Sequence, residues 1–387
     1  MRTHYLFVAL ALTSACKWTD FDDLEEATWA RSTQDPDIGS SDYAVAILGV
    51  SMGASGGTLA VVSDDTANFS TIEYSAKGDA DIGASPIKLG MNAIGALAEA
   101  PVFVTNSMGQ IGLVERSIQG GNFAVMFGTA TAPVATEFMA AASPAPSPDA
   151  AVFAPNGDLV FAAGNTLYSL ASTGGTPIAC TDMSSMPITV AAMDHDGSNL
   201  WVWTKTGSLI SFPLAALSPC NGGMLPNPGN STFTPPGGFM PAPGARLHVV
   251  NSTFAILTGH PMTTRSGSIF VVNLSNLTQV GTTATIEGLR TSTVAVLGGD
   301  TYLTVGVPDR AIGGVAAGEV DLLAFNTTTG MLDATPALSL HDTDPQSGQL
   351  FGRTVTTMNF NGEPIIVVGA DSEIFAYYRT TLYDHLP

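Results

Sequence analysis

The sequence predicts an all-β protein, and two observations lead to that prediction. Of its 387 residues, 45% are apolar, while 41 Gly and 24 Pro favour short strands joined by turns over long helices. A pair of apolar strands also recurs seven times along the chain. A repeat of this length predicts a seven-bladed β-propeller with four antiparallel strands in each blade.

Each copy of the repeat has an apolar strand, a loop, then Gly, Asn or Ser and a second apolar strand. The first apolar residues of the second strands are Leu59, Ile111, Leu167, Leu209, Ile269, Val320 and Ile374. Their six intervals span 315 residues, a mean of 52.5 residues. Dipeptides typical of hairpin turns come directly before four of the first strands: Asn156-Gly157, Asp196-Gly197, Gly298-Gly299 and Asn361-Gly362. We read residues 42–387 as one continuous domain, interrupted by loops at 131–148 and 219–245.

The last copies carry a more specific pattern. Phe351-Gly352 precedes the turn at Asn361-Gly362 and the strand Ile365–Asp371, and Val305-Gly306-Val307-Pro308 repeats the second half of the pattern. This order resembles the FG-GAP repeat of integrin α-subunit propellers and their bacterial relatives. The resemblance implies that an N-terminal strand completes the last blade, and the segment near Trp29 is the one available.

The N-terminus predicts export. Residues 1–15 contain Arg2 and a short apolar run, which indicates a signal peptide rather than a membrane span. The run ends in Ser14-Ala15-Cys16 and resembles the lipobox of bacterial lipoproteins, although Thr13 stands where Leu is usual. The resemblance implies lipidation of Cys16, and Lys17 after it implies sorting to the outer membrane. The alternative is ordinary export with Cys16 lost or idle. Residues 16–41, rich in Asp and Glu, predict an extended acidic tether.

Export also sets the redox context of the two remaining cysteines. An even pair in an oxidising compartment predicts a disulfide between Cys180 and Cys220, the alternative being two inert thiols.

Few residues indicate chemistry. FG-GAP turns often hold calcium, and Asp194 and Asp196 occupy two of the usual ligand positions, but Ala192 and Leu200 replace the first and last acids. Calcium needs six to eight oxygen ligands, so a plain hairpin turn is the preferred interpretation and no cofactor is predicted. No zinc spacing, nucleophile elbow or phosphate-binding loop is present.

Charge limits the partners. The chain has 13 Lys and Arg against 33 Asp and Glu, a formal charge of −20, which argues against nucleic acid. We therefore expect a non-enzymatic binding or adhesion module at the cell surface or in the periplasm, recognising a protein or a surface polymer. The alternative is an exported propeller enzyme, either a lactone or glycan hydrolase or a quinone-dependent dehydrogenase, because a propeller fold does not decide function.

Overall fold

A computed structural model describes the protein over residues 29–34, 46–51, 57–62, 69–74, 87–89, 102–106, 110–116, 122–129, 132–139, 148–182, 189–217, 232–342, 344–360, 363–370 and 374–379. These residues form antiparallel β-sheets, with two short 3₁₀ turns at Leu214–Ala216 and Pro236–Gly238. The predicted all-β class is confirmed. Cys16, Cys220 and the rest of the predicted signal peptide and tether up to residue 28 lie outside the described residues.

The strands fall into seven main sheets, which we number I to VII in chain order. Sheet I contains β2 (Ala46–Ser51), β3 (Gly57–Val62), β4 (Phe69–Tyr74) and β5 (Ile87–Leu89). Sheet II contains β6 (Val102–Thr105), β7 (Gln110–Arg116), β8 (Asn122–Thr129) and β9 (Ala132–Met139). Sheet III contains β10 (Pro148–Phe153), β11 (Leu159–Ala163), β12 (Thr166–Leu170) and β13 (Ile178–Asp182).

The later sheets vary this plan slightly. Among the described residues, sheet IV contains three strands, β14 (Val190–His195), β15 (Asn199–Thr204) and β16 (Leu209–Pro213). Sheet V contains β17 (Arg246–Val250), β18 (Phe254–Gly259), β19 (Ser266–Asn273) and β20 (Thr278–Glu287). Sheet VI contains β21 (Thr291–Leu297), β22 (Asp300–Val307), β25 (Glu319–Phe325) and β26 (Leu332–Leu340), with a small hairpin of β23 (Ala311–Ile312) and β24 (Val315–Ala316) between its second and third strands.

Sheet VII combines the two ends of the chain. Its strands are β27 (Thr354–Phe360), β28 (Glu363–Gly369), β29 (Ile374–Arg379) and β1 (Trp29–Gln34). β1 pairs antiparallel with β29, from Trp29 opposite Arg379 to Gln34 opposite Ile374. The expectation that a segment near Trp29 completes the sheet of the last repeat is therefore confirmed.

The first strands of the sheets lie beside one another in a cyclic order. β2 contacts β6, β6 contacts β10, β10 contacts β14, β14 contacts β17, β17 contacts β21 and β21 contacts β27. β27 in turn contacts β2, so the last sheet adjoins the first.

The apolar cores lie between consecutive sheets. One cluster joins residues of sheets II, III and IV, a second joins IV and V, a third joins V and VI, and a fourth joins VI and VII. Second strands such as β11 and β18 are buried along their whole length, as expected for strands covered on both faces. The fourth strands β20 and β26 are largely exposed, because they form the outer edges of their sheets.

Tight turns join the first and second strands where the sequence predicted them. Gly157, Gly197, Gly298 and Gly299 all have positive φ. These turns need left-handed backbone, which glycine adopts at little cost. The fourth predicted turn, Asn361-Gly362, lies outside the described residues.

Two predicted loops need correction. Residues 131–148 are not only a linker, because Ala132–Met139 forms β9 and pairs with β8. Residues 219–245 are not simply an exposed loop, because the described part from residue 232 packs onto the core. Phe233 is 7% exposed and bridges to Leu209 of β16, while Phe239 stacks on Trp203 with ring centroids 5.8 Å apart. Apolar side chains inside a Pro-rich segment override its turn-like composition.

Candidate binding site at the cationic end of the sheets

The first strands of sheets IV to VII run side by side in the same direction. The Asp194 Oδ2 atom of β14 accepts a hydrogen bond from the Val249 amide of β17 at 2.7 Å. His248 of β17 contacts Ser292 of β21, and the Thr357 hydroxyl of β27 donates to the Val294 carbonyl of β21. These residues lie at similar positions along their strands. The strand beginnings, and the loops joining second to third strands, therefore share one end of the structure.

Between residues 148 and 370, positive charge is confined to that end, which we call the cationic end, whereas Arg379, the last residue of β29, lies at the opposite end. Every Lys and Arg between residues 148 and 370 lies at the cationic end, either where a first strand begins or in a loop between second and third strands: Lys205, Arg246, Arg265, Arg290, Arg310 and Arg353. The same end also carries eight acids: Asp149, Asp182, Glu287, Asp309, Glu319, Asp321, Asp342 and Asp344.

The opposite end, which we call the acidic end, has carboxylates and no cation within the same span. Its members lie at or next to the turns between first and second or between third and fourth strands: Asp158, Asp194, Asp196, Asp300, Asp333 and Glu363. The two ends therefore offer very different electrostatic surfaces to a partner.

Lys205 and Arg310 form ion pairs. Lys205 Nζ lies 2.5 Å from Asp149 Oδ1, which ties a loop of sheet IV to the first strand of sheet III. Arg310 Nη1 contacts Asp321 Oδ2 at 2.6 Å and Glu319 Oε2 at 3.0 Å. Burial opposes the charge on Arg310, but the two carboxylates outweigh it and raise the pKa of the guanidinium. These pairs are structural.

Three further arginines have no ion pair with any described residue: Arg246, Arg265 and Arg290. Arg265 and Arg290 are exposed, and the Gly288 amide donates to the Arg265 carbonyl at 3.1 Å, which brings the two segments together. Arg246 is the first residue of β17. It is exposed, and its Nη1 donates a hydrogen bond to the Ala245 carbonyl at 3.3 Å.

A buried polar cluster lies beside Arg246. His248 Nε2 is 2.9 Å from Ser292 Oγ, which is 2.6 Å from Thr258 Oγ1. Ser292 and Thr258 are 4% and 1% exposed. Burial and the nearby Arg246 charge lower the pKa of His248 to about 4, against the opposing effect of its Ser292 contact. His248 is therefore neutral near pH 7, and the cluster joins sheets V and VI through uncharged hydrogen bonds.

The predicted calcium residues are engaged by N–H donors. Asp196 Oδ1 accepts from the Ser198 and Asn199 amides at 2.8 and 2.6 Å, and Asp196 Oδ2 accepts from Trp201 Nε1 at 2.9 Å. Partial burial opposes these bonds, but together they lower the pKa of Asp196. Asp194 accepts from the His195 and Val249 amides, while burial, the larger effect, raises its pKa.

This geometry assigns Asp196 to a hairpin turn and Asp194 to the junction of sheets IV and V. Among the residues that the structure describes, no group of three or more His, Cys, Asp or Glu is placed to hold a metal ion. Both carboxylates accept hydrogen bonds from N–H groups of the protein itself, as in a structural turn.

Of the predicted disulfide, only one half is described. Cys180 is disulfide-bonded and 4% exposed, and its Sγ lies 3.8 Å from the Leu217 carbonyl oxygen. Leu217 is three residues before Cys220 in the sequence, which is consistent with the predicted Cys180–Cys220 bridge. Because Cys220 is outside the described residues, that pairing remains a prediction.

Sequence reasoning missed the cationic end. Arg246 and Arg290 adjoin β17 and β21, two first strands that the sequence pattern did not identify. To place the cations at one end, one must know in which direction the strands of neighbouring copies run. That direction depends on which strand of each predicted pair is the first strand of its sheet.

No protein-family model and no curated protein sequence matches this chain. Over the described residues, no helix has the length and apolar character needed to cross a bilayer.

Proposed function

We propose that this chain is an exported, lipid-anchored binding protein of the outer membrane, built as a seven-bladed β-propeller. Support for seven blades comes from the cyclic contacts of the seven first strands and from apolar cores placed between consecutive sheets. Pairing of β1 with β29 supports closure by the two chain ends, the device expected of this architecture.

Relationship to FG-GAP propellers is part of the proposal. Phe351 is fully buried among residues of sheets VI and VII, and Gly352 has a φ of +85°. A Cβ on Gly306 would collide with the Gly352 carbonyl. The Phe-Gly pair and the Gly of the Val-Gly-Val-Pro segment thus meet where two sheets join, which accounts physically for both halves of the motif.

The observation that carries the binding function is the segregation of charge. A chain with a formal charge of −20 places every cation of residues 148–370 at one end and leaves three arginines there without an ion pair. Exposed arginines without an ion pair contribute little to folding and are available to a ligand.

Chain topology supports the orientation. β1 begins at Trp29 opposite Arg379, the last residue of β29. The third strand of each sheet starts at the cationic end, so Trp29 lies at the acidic end. A tether joined to Trp29 leaves from the acidic end, and the cationic end then faces away from a membrane anchor at Cys16.

The tether is tested with Cys16→Ser. The wild-type protein should partition into detergent and incorporate labelled fatty acid, whereas Cys16→Ser should do neither. Unchanged partitioning and labelling would refute the anchor. The binding function is tested by cross-linking the purified chain to intact envelopes, where we expect a discrete adduct that an excess of unlabelled chain competes away.

The contact between His248 and Ser292 favours one second candidate, an exported hydrolase of esters or lactones. A neutral imidazole 2.9 Å from a serine hydroxyl is the arrangement in which histidine removes the serine proton. The test compares ester turnover by the wild-type chain with that by Ser292→Ala and by Thr258→Val. Turnover lost in the serine variant and kept in the threonine variant would replace the binding function with the enzymatic one.

A further inference from the structure

We propose, resting on the binding function above, that the cationic end of sheets V and VI docks an acidic protein segment that carries apolar residues among its carboxylates. The surface is formed by Met240, Met262, Arg246, Arg265 and Arg290, and we call it the Met–Arg surface.

Two exposed methionines form its apolar part. Met240 and Met262 are 55% and 77% exposed. They flank an antiparallel bridge between Pro241 and Pro261, which sets them opposite each other, and the Ala242 amide donates to the His260 carbonyl at 2.9 Å beside them. Methionine is unbranched and polarisable, and it adapts to irregular apolar side chains of a partner. Two such side chains together on the surface suit a protein ligand.

Three cations continue this surface. Arg265 is in the same loop as Met262, and Arg290 is two residues beyond Gly288, whose amide bonds the Arg265 carbonyl. Arg246 begins the strand that follows the Met240 segment. Glu287 lies opposite Ser266 in the sheet and is the acid nearest to these segments in the chain, but it makes no ion pair with the arginines among the described contacts. The three guanidinium groups are therefore free to pair with carboxylates of a ligand.

A protein partner is favoured over an acidic polysaccharide. Sugar rings bind well on flat, exposed aromatic side chains, but the large apolar residues exposed over residues 232–342 are Met240, Met262, Val296 and Met331, with no aromatic among them. Flexible methionines beside guanidinium groups instead match a peptide that alternates apolar and carboxylate side chains.

The chain's own acidic run at residues 20–26 is a poor occupant. It precedes Trp29, where the chain enters β1 at the acidic end, whereas the Met–Arg surface lies at the other end and on different sheets. A separate partner fits the topology better.

The test uses the full mature chain carrying Cys16→Ser and a fluorescein-labelled 12-residue peptide of alternating Glu and Leu. Fluorescence anisotropy gives the Kd. We expect saturable binding that the double variant Arg265→Gln/Arg290→Gln weakens about tenfold, as the loss of two partly screened charge pairs predicts. The variant Met240→Ser/Met262→Ser should weaken it to a similar extent. Lys205→Gln is the matched control, because Lys205 is at the same end but is paired with Asp149.

Several results would overturn the inference. One is the absence of binding up to about 1 mM peptide, a limit that corresponds to roughly 4 kcal/mol of binding free energy. Another is equal binding of a peptide that has Gln in place of Glu. A third is that Lys205→Gln weakens binding as much as the arginine variant does. Binding of an oligogalacturonate that the methionine variant leaves unchanged would move the partner class to an acidic polymer. If envelope cross-linking persists in the arginine and methionine variants, the proposed binding function stands while this surface is rejected.

Discussion

Replacing Gly306 with alanine tests how tightly sheets VI and VII are joined. Gly306 lies in β22, and its carbonyl accepts a hydrogen bond from the Arg290 amide at 3.0 Å. An added Cβ would collide with the Gly352 carbonyl oxygen and would lie 2.8 Å from Thr291 Cγ2. The obstacle is backbone, and the Gly352 amide is itself bonded to the Gly369 carbonyl at 3.2 Å, so little can move aside.

The size of the effect follows from this geometry. Overpacking a close-packed core typically costs about 1–3 kcal/mol. Because the colliding group is a hydrogen-bonded backbone carbonyl rather than a flexible side chain, we expect Gly306→Ala to lose about 3 kcal/mol or more. That is a large fraction of the roughly 5–15 kcal/mol by which folded domains are stable.

Gly299→Ala is the matched control. Gly299 lies in the turn between β21 and β22 of the same sheet and has a φ of +95°, but a Cβ there would meet nothing within 4 Å. Its cost is the left-handed backbone alone, about 1–2 kcal/mol. Urea unfolding followed by tryptophan fluorescence gives the free energy of unfolding for both variants. If Gly306→Ala costs no more than Gly299→Ala, the close approach of the two sheets is not as described and the reasoning fails.

Three further predictions concern the disulfide, the histidine and the turn. Non-reducing mass spectrometry of exported protein should find Cys180 linked to Cys220, and free thiols at both positions, or Cys180 linked to Cys16, would contradict the pairing. In the folded state the pKa of His248 is lowered to about 4, whereas in the unfolded state it has its ordinary value of 6.5. Between pH 6.5 and 4 the unfolded state therefore binds a proton that the folded state does not, and the free energy of unfolding should fall as the pH is lowered through that range. His248→Gln should reduce that fall by on the order of 2 kcal/mol, after allowance for a half-buried side chain. An unchanged pH dependence in His248→Gln would show that the imidazole titrates normally. Asp196→Ala should lower stability by about 2 kcal/mol by removing the acceptor of three or more hydrogen bonds, whereas added calcium should not change the wild-type midpoint; a calcium-dependent rise lost in Asp196→Ala would restore the metal site.

The sequence predicted the strand-rich class and the seven copies well, because alternating apolar strands and Gly turns are local signals. It did not predict which two strands of each sheet form the recognised pair. In sheets I and II the recognised pair is the first and second strand, as in β2 with β3. In sheets III to VII the pair is the second and third strand, as in β11 with β12. Both pairs read as two apolar strands around a loop, so the local pattern does not distinguish them.

Burial on both faces of a strand is likewise not a local signal. Trp201 and Trp203 lie two residues apart in β15, and both are buried, at 6% and 0% exposure. Residues two apart face the same side of a strand, and both tryptophans pack in the cluster that joins sheets IV and V. Leu200 and Val202 face the other side and pack in the cluster shared with sheet III, so this strand is covered on both faces. Coverage of the second face is set by the neighbouring sheet and is not visible in one strand's sequence.

The distribution of charge depends on the topology of the sheets and could not be predicted from local sequence patterns. A formal charge of −20 argues against nucleic acid as a partner but does not say which surface a partner meets. Net charge is a sum over the whole chain, whereas a partner meets one end. Because the first strands of sheets IV to VII run in parallel, six cations that are far apart in the sequence lie at one end of the structure. The ion pairs that they form, or do not form, then distinguish cations that stabilise the fold from cations that are available to a ligand. Lys205 and Arg310 are engaged with carboxylates, and Arg246, Arg265 and Arg290 are not. The partner class follows from those three arginines and from the two methionines beside them, rather than from the charge of the chain.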